Sequence, residues 1–592
     1  MNITEENENN SGQQKSRCKT IFAFLYFCFV PAAAFYLMEA YEHNAFVEVR
    51  YKASFFNIIL FEFIAWVLYL LIGKMHTAIK IVLILAMTFG LINHYVMAFR
   101  STPFVPWDLF SIGTAASVAG NYDFTPTVRV VIVTLCFVAL IILSGRILKK
   151  RDRHLARIRL VAAAVVIGGL CFFVHLLQQE EFQKKNRLYP FLFTPTYMTK
   201  VNGMAVTFAM DLAYVVVDKP KGYSSKEAEE ILTGYESGED KADIKELPNI
   251  IVIMDESFSD LEVLGDLDTN EDYMPFMHRM QKGADNTITG YAQVSVCGGN
   301  TANSEFEFLT GNTMAFLPSG SIPYQQYIKK EIPSLPDYLK DLGYTTYAQH
   351  PYLEKGWNRN KVYPLLGFEN IDFLPDYTDQ SYVRKYVSDL SDMKHIINTF
   401  EKKKTGKPMF LFNVTMQNHG GYDDDYTDLK MDIHSGYNSR QLDRYLSLVH
   451  LSDQALEYLT DYFSKVDEKT VIVFFGDHQP SDTVTSPVEK NNSDSRQQED
   501  DQTKRYQVPY LVWANYEING GGQKDTSLNY LAAQVLEAAG VPTDRYQNYL
   551  LKLNEKYPVI SAAGTTTKSA ADDDTLITYK KLQYYHLFEE KK

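Results

Sequence analysis

The chain of 592 residues divides into two parts of opposite charge. The first 180 residues carry 16 Lys and Arg against 11 Asp and Glu, whereas the remainder carries 42 against 61. An acidic excess of this size excludes nucleic-acid binding, which needs a basic surface to neutralise phosphates, and an aromatic content of 14% excludes a disordered chain. This pattern is typical of a membrane protein that carries a large polar domain.

Apolar runs in the first part are each about 20 residues long, the length needed to cross about 30 Å of hydrocarbon. Five such runs occur, near 20–40, 54–73, 77–97, 128–148 and 157–177. The first run is an anchor and not a removable signal, because four more runs follow it. The sequence therefore predicts a cytoplasmic tail over 1–19 and a five-span α-helical membrane domain over 20–180.

The loop between the fourth and fifth runs sets the orientation of the chain. It holds the densest basic cluster, Arg146, Lys149, Lys150, Arg151, Arg153, Arg157 and Arg159. Basic loops stay on the cytoplasmic side, and the basic N-terminal tail agrees with this. An odd number of spans then places everything after about residue 180 outside. We expect 181–247 to be a connector with interfacial helices, including an amphipathic stretch near Val201–Val217.

The positions of the cysteines limit the cellular locations in which the outer part can lie. Of the five cysteines only Cys297 lies in the outer part, so that part forms no internal disulfide. An extracellular domain without disulfides is typical of a bacterial envelope, most simply a Gram-positive one. Cys297 itself is expected to be a small buried side chain and not a nucleophile.

Polar residues also occur within the membrane part. Glu62 lies inside the second span, where a carboxylate is either functional or paired with a neighbouring span. Arg100 and Asp108 flank a proline-rich stretch, and we expect Asp108–Ala119 to form a short re-entrant or surface helix.

After residue 248 short apolar runs alternate with helical patterns, which predicts a mostly parallel sheet covered by helices on both faces. The predicted strands are NIIVIM (249–254), TTYAQH (345–350), MFLFNVTM (409–416), TVIVFFGD (470–477) and VPYLVWA (508–514). Helices are predicted over Ile332–Leu342 and Ser439–Val466, and the polar tract from Ser481 is predicted to be a surface insertion.

Four of these strands end in residues that can bind a metal. They lead directly to Glu256, to Asp477 and His478, to His350 and to His419. One such residue after a strand is usually a cap or a turn residue. Four strand ends at one edge of a parallel sheet favour a metal or catalytic site.

A glycine-rich turn supplies a further candidate. In CGGNTANSEF, Gly298 and Gly299 permit a tight turn, and Thr301 stands just before a predicted helix. Thr301 is placed either to meet a phosphate at the helix N-terminus or simply to cap that helix.

These motifs together resemble the lipoteichoic acid synthase family over nearly the whole chain. The resemblance rests on the five-span start and on IMDESF, GGNTANSEF, HPYLEKGWNRNKVY, NVTMQNHGGY and FFGDHQP in this order. It implies an outer domain, 248–592, with the sulfatase and alkaline-phosphatase fold. It also implies that one divalent ion, typically Mn²⁺ with Mg²⁺ as the alternative, is bound by Glu256, Thr301, Asp477 and His478, and that Thr301 is the nucleophile.

The same resemblance implies a substrate pocket formed by His350, Trp357, Arg359 and His419. Two residues depart from the family pattern. Asn300 precedes Thr301 where a Lys is expected, and Tyr352 stands where an acidic residue is expected. Both departures affect the preference for head group or acceptor.

The resemblance implies a phosphoglycerol transferase at the outer membrane face. Its donor is phosphatidylglycerol, and its acceptor is a growing polyglycerolphosphate (lipoteichoic acid) chain or a glycolipid. A phosphoethanolamine transferase, a metal-dependent phosphodiesterase and a non-catalytic envelope protein are the alternatives. A sulfatase is disfavoured, because the Cys-x-Pro-x-Arg signature is absent around Cys297.

Overall fold

The chain forms two compact units. The computed structural model describes residues 2–100, 103–111, 124–148, 156–189, 195–215, 217–237, 247–318, 321–378, 380–423, 428–492, 503–565 and 574–590. One unit comprises 1–109 and 119–216, and the other comprises 110–118 and 217–592.

The first unit contains the membrane helices. Within the described residues, five helices are long and apolar enough to cross a membrane, which confirms the five predicted spans: Cys18–Glu39, Tyr51–Ile72, Met75–Ala98, Val128–Ile147 and Arg157–Leu177. Apolar side chains on them remain exposed, for example Phe29 and Val165 at 68% and 70%, as expected for helices that face lipid. Shorter helices are Ala45–Glu48, Glu180–Asn186, Pro195–Asn202 and Met204–Asp211.

Two acidic residues of this unit, Glu62 and Asp108, lie in different environments. Glu62 is half-buried within the second span. Asp108 is buried and accepts a hydrogen bond from the Val105 N–H at 2.8 Å, which stabilises the 3₁₀ turn Pro106–Ser111. The rest of the helix predicted over Asp108–Ala119, from residue 112 onward, lies outside the described residues, as does the side chain of Arg100.

The second unit is built on a mixed sheet. Its strands are β1 (Asn249–Asp255), β2 (Thr287–Gln293), β3 (Thr345–His350), β4 (Asn370–Phe373), β5 (Tyr382–Val383), β6 (Tyr386–Val387), β7 (Met409–Val414), β8 (Thr470–Gly476), β9 (Gln507–Ala514), β10 (Gly522–Gln523), β11 (Thr526–Ser527), β12 (Ile560–Ser561) and β13 (Gly564–Thr565). The main sheet has the order β10-β2-β9-β8-β1-β7-β3-β4, and β11 also pairs with β2. Two short hairpins, β5–β6 and β12–β13, lie outside it.

The core lies on both faces of this sheet, because successive side chains of a strand point to opposite faces. Along β1, Ile250, Val252 and Met254 belong to one buried cluster, whereas Ile251 and Ile253 belong to another. All five predicted strands are confirmed. The sheet is parallel from β8 through β1, β7 and β3 to β4, and β9 runs antiparallel to both β8 and β2.

Helices cover the two faces. The predicted helices are confirmed as Leu335–Asp341 and Arg440–Phe463. The others are Ser225–Thr233, Pro275–Gln281, Thr301–Thr310, Pro323–Gln326, Arg359–Leu365, Asp389–Lys402, Asp482–Asn492, Leu528–Ala539, Arg545–Lys556 and Asp574–Tyr584. The polar tract from Ser481, predicted to be a surface insertion, begins with the helix Asp482–Asn492, on which Val484 and Val488, one turn apart, are buried.

A charged network surrounds His278 in this unit. Its Nδ1 lies 2.8 Å from Asp272 Oδ1, and its Nε2 lies 3.9 Å from Asp260 Oδ2. Burial alone would lower the pKa of His278, but these two carboxylates raise it to about 9. Desolvation raises the pKa values of two neighbouring carboxyl groups, Glu262 and Asp453, and the charge of His278 offsets part of this rise.

This network predicts a pH dependence of stability. The raised pKa means that protonated His278 stabilises the fold below its unfolded pKa of about 6.5, and that this contribution is lost as the pH rises through about 9. After allowance for solvent screening it amounts to about 1–2 kcal/mol. The His278→Gln variant should therefore be less stable than wild type at pH 6 and nearly equal to it at pH 10 in chemical unfolding. An equal difference at both pH values would contradict this.

Candidate active site and metal centre

The predicted strand ends meet at one edge of the sheet. Strands β1, β3, β7 and β8 are mutually parallel, so their carboxyl ends lie on the same side. Asp255 at the end of β1 pairs in register with Gly476 at the end of β8. Glu256 and Asp477, the next residue of each strand, therefore emerge side by side.

Glu256, Asp477 and His478 form a cluster suited to a metal ion. Their ligand atoms all lie within 4.8 Å of one another. His478 Nε2 is 3.2 Å from Asp477 Oδ2 and 3.8 Å from Glu256 Oε1. Among the described residues, Asp477 Oδ2 and His478 Nε2 are buried without a hydrogen-bond partner. A buried polar atom left unpaired costs about 1–3 kcal/mol, and a bound cation would remove this cost for both atoms.

The orientation of His478 fits metal binding. Its Nδ1–H donates to the Gln479 carbonyl at 2.9 Å, so the Nε2 lone pair faces the two carboxylates. Desolvation raises the pKa of Asp477 to about 7, although His478 acts to lower it. A positive charge at this point would favour the ionised carboxylate. Two carboxylates, one imidazole and a nearby hydroxyl make an oxygen-rich donor set.

The hydroxyl belongs to Thr301, at the start of the helix Thr301–Thr310. Its Oγ1 lies 3.4 Å from Glu256 Oε2, and the side chain is buried. Gly298, Gly299 and Asn300 have φ values of 68°, 152° and 67°. Such values are easy for glycine and tolerated by asparagine, so the turn can direct Thr301 into the cluster. The helix N-terminus there offers free backbone N–H groups to an anion.

Glu305 on this helix was not identified from the sequence. It lies one turn after Thr301 and accepts hydrogen bonds from Arg359 Nε at 3.0 Å and from the Tyr363 hydroxyl at 2.8 Å. Ser304 beside it donates to the Asp477 carbonyl at 2.6 Å. The i, i+3 and i, i+4 spacing in TANSE, which puts these residues on one helix face, is the signal that could have found them.

His350 and Arg359 lie together, but they bind each other. Arg359 donates from its NH1 group to His350 Nε2 at 3.0 Å, and His350 Nδ1–H donates to the Val414 carbonyl at 2.9 Å. Desolvation, reinforced by the charge of Arg359, lowers the pKa of His350 well below its usual range, so the ring is neutral. The guanidinium that was predicted to grip phosphate is thus already bonded to Glu305 and His350.

His419 contacts the β5–β6 hairpin, which was not predicted from the sequence. Its Nδ1 lies 3.0 Å from the Tyr386 hydroxyl in β6, and Arg384 in the hairpin turn donates to the backbone carbonyls of Gln417 and His419 at 2.7 and 2.6 Å. The His419 side chain is partly open to solvent, yet desolvation lowers the pKa of its ring, and the negative charge of Glu256 acts in the opposite direction. Asn418, the residue before it, donates from Nδ2 to Asp255 Oδ1 at 3.0 Å, so His419 follows a residue bonded to the end of β1.

The remaining candidates lie around this centre. Trp357 is half-buried against the core, with a left-handed backbone at φ 54°. The Tyr352 ring lies 6.3 Å from the ring of His350 and 6.0 Å from that of Tyr386. Cys297 is a free thiol whose pKa is raised by burial to about 11, so it is not a reactive thiolate.

Known proteins share this architecture. The sulfatase family matches residues 248–541. A Rhizobium meliloti protein assigned to cyclic β-1,2-glucan modification is 30% identical over 507 residues, which cover 83% of this chain and 77% of that relative. Lipoteichoic acid synthase 1 of Bacillus subtilis is 25% identical over 240 residues, 39% of this chain and 36% of the synthase. The chain is a lipoteichoic acid synthase-like member of the sulfatase family.

The fold of this sulfatase-family protein also matches a solved structure. The phosphoglycerol transferase of Streptococcus pyogenes, in complex with sn-glycerol-1-phosphate, superposes with a TM-score of 0.51 at 19% identity, over 63% of this chain and all of that one. The protein is an enzyme of the sulfatase and alkaline-phosphatase superfamily, and five of its described helices are long and apolar enough to cross a membrane. The relatives come from Rhizobium meliloti and Bacillus subtilis and give no support to a specifically Gram-positive envelope.

Gly476 leaves no room for a side chain at the end of β8, next to the candidate metal ligands Asp477 and His478. A Cβ atom at this position would lie 1.8 Å from the Phe258 carbonyl oxygen. The Gly476→Ala variant must shift the end of β8, and we expect its Mn²⁺ affinity to fall about 10- to 100-fold, as for changes in groups that support metal ligands. Isothermal titration of the full chain measures this.

The matched control is Gly521→Ala. A Cβ there would meet only the Thr287 carbonyl oxygen at an ordinary contact distance of 3.7 Å. Its Mn²⁺ affinity should equal that of wild type. Equal affinity in the Gly476 variant would show that β8 does not position Asp477 and His478.

Proposed function

We propose that this enzyme transfers glycerol phosphate from phosphatidylglycerol to an acceptor hydroxyl at the outer face of the membrane. The observation that carries the proposal is the Thr301 hydroxyl, buried at a helix N-terminus and 3.4 Å from Glu256 beside Asp477 and His478. A hydroxyl in this position is suited to act as a nucleophile on phosphorus.

The reaction proceeds in two steps. Thr301 Oγ attacks the phosphorus of phosphatidylglycerol, the bond to the diacylglycerol oxygen breaks, and a glycerophospho-threonine remains. The acceptor hydroxyl then attacks the same phosphorus and releases Thr301. A divalent ion, Mn²⁺ by the family resemblance, would be held by Glu256, Thr301, Asp477 and His478 and would supply Lewis acidity that lowers the hydroxyl pKa.

Two histidines have different parts in this scheme. Both ring nitrogens of His350 are occupied, by Val414 and Arg359, so His350 orients Arg359 and the phosphate pocket. His419 is exposed and held at Nδ1 by Tyr386. In the first step it takes the proton of the Thr301 hydroxyl and gives it to the departing diacylglycerol alkoxide. In the second step it takes the proton of the incoming hydroxyl and returns it to Thr301. Trp357 packs against the glycerol group.

Mass spectrometry of the protein after incubation with Mn²⁺ and phosphatidylglycerol tests the proposal. We expect a glycerophosphate adduct on Thr301 together with release of diacylglycerol. A phosphoethanolamine adduct after incubation with phosphatidylethanolamine, without the glycerophosphate one, would reassign the donor. Absence of any adduct would argue against covalent transfer.

The acceptor is either a polyglycerolphosphate chain or glycolipid, as the family resemblance implies, or another glycan. The relative that aligns over 83% of this chain is assigned to modification of a cyclic glucan, which favours a glycan hydroxyl. Stimulation of diacylglycerol release by a β-glucan, but not by polyglycerolphosphate, would identify a glycan acceptor. Equal release with water alone would indicate a phosphodiesterase.

A further inference from the structure

Basic side chains gather where the second span begins and the fifth span ends. The short helix Glu180–Asn186 follows the fifth span, and the ring of Phe182 lies 5.4 Å from that of Phe56 in the second span. This contact brings two basic segments together. We name Arg50, Lys52, Lys185 and Arg187 the outer basic cluster.

Hydrogen bonds fix the outer basic cluster in place. Arg50 donates from NH1 to the Arg187 carbonyl at 2.7 Å, and Lys52 Nζ lies 3.4 Å from the Lys185 carbonyl. Arg187 ends the short helix with φ at 55°, and its N–H bonds to the Lys184 carbonyl at 3.2 Å. The cationic groups of Arg50 and Lys52 therefore lie against the backbone that carries Lys185 and Arg187.

The carboxylates among the described residues leave this surface positively charged. Nearby Lys200 pairs with Glu48 at 3.4 Å, but within the described part of the chain no carboxylate forms an ion pair with Arg50, Lys52, Lys185 or Arg187. The C-terminus of a helix offers about half a negative charge, much less than the cluster carries. An anion from outside the chain would remove this repulsion.

The position of the cluster along the spans indicates which kind of anion would bind to it. With a cytoplasmic N-terminus, the second span begins and the fifth ends at the outer face, where the positive-inside rule disfavours basic residues. Tyr51 and Phe55 beside the cluster are 79% and 60% exposed, and exposed aromatic rings at span ends are typical of the level of lipid head groups. Lipid phosphates lie at the same level.

We propose that the outer basic cluster binds the phosphate of an anionic phospholipid of the outer leaflet. Arg50 and Arg187 offer planar donor forks to the phosphate oxygens, and the lysines contribute point charges. The site does not depend on phosphoglycerol transfer, because it contains neither Thr301 nor a metal ligand.

Native mass spectrometry of the full chain tests this site. The protein is exchanged into phosphatidylglycerol, phosphatidic acid or phosphatidylcholine, in EDTA so that turnover does not contribute. The test variant combines Lys185→Gln with Arg187→Asn, since asparagine tolerates the left-handed backbone at 187. We expect both anionic lipids to be retained over phosphatidylcholine, and this preference to fall about 10- to 30-fold in the variant.

Two controls separate charge from folding. Lys404→Gln with Lys407→Gln removes two exposed charges from the second unit and should leave lipid retention unchanged. Lys185→Arg with Arg187→Lys keeps the charges and should retain the preference. Equal retention of all three lipids by wild type, or an unchanged preference in the test variant, would overturn the proposal. Complete displacement of the lipid by inorganic phosphate would also overturn it, since that indicates a site for free phosphate.

Discussion

The Thr301→Ala variant is expected to lose at least about 10⁴-fold in diacylglycerol release from phosphatidylglycerol, because loss of a nucleophile abolishes the covalent route. The metal site should survive, since Glu256, Asp477 and His478 keep their mutual geometry. Metal content after gel filtration should therefore stay near the wild-type value. Measurement of both quantities on the same preparation distinguishes a lost nucleophile from a collapsed site.

Two further variants sharpen this test. Thr301→Ser keeps the hydroxyl and should recover a large part of the activity. Thr310→Ala removes a hydroxyl on the same helix that donates only to the Phe306 carbonyl and accepts from the Asn312 N–H, and should change activity by no more than a few-fold. Activity above one tenth of wild type in Thr301→Ala would mean that another group attacks phosphorus.

The sequence predicts that Glu256, Asp477 and His478 lie close together, because each of them follows directly after a predicted parallel strand. An apolar run such as NIIVIM or TVIVFFG predicts a buried parallel strand, and parallel strands deliver the residues after them to one edge. The bounds of the membrane spans follow in the same way from apolar length. What these patterns do not contain is the direction of β9, since VPYLVWA is equally apolar in either orientation.

The partners of the charged site residues were harder to predict. Arg359 was expected to hold phosphate because a guanidinium fork suits that anion, yet the nearest acceptor is a carboxylate 54 residues earlier in the chain, Glu305. Such a pairing depends on how the helices Thr301–Thr310 and Arg359–Leu365 pack, which local patterns do not report. The contact between the Tyr386 hydroxyl and His419 Nδ1 likewise depends on the β5–β6 hairpin. The strands of this hairpin have only two residues each, too few to show a pattern in the sequence.

The buried pair of Arg359 and Glu305 should dominate the stability of the site. Their side chains are 4% and 0% exposed. Desolvation disfavours the guanidinium, but the charge of Glu305 outweighs this effect and raises the pKa of Arg359, so the guanidinium stays charged. In Arg359→Met the carboxylate remains buried without its cation, and we expect a loss of about 3–5 kcal/mol in the free energy of unfolding, as for other broken buried pairs. Denaturant unfolding of the full chain measures this.

The double variant Arg359→Met with Glu305→Gln separates pairing from packing. It leaves no uncompensated charge, so it should be more stable than Arg359→Met alone, which simple addition of two damaging changes would not produce. The control is the pair of Arg279 and Glu457, 2.6 Å apart with side chains 58% and 41% exposed. Arg279→Met should cost less than about 1 kcal/mol, because water already screens that pair. A double variant less stable than Arg359→Met would show instead that Glu305 stabilises the helix through Tyr363 and not through Arg359.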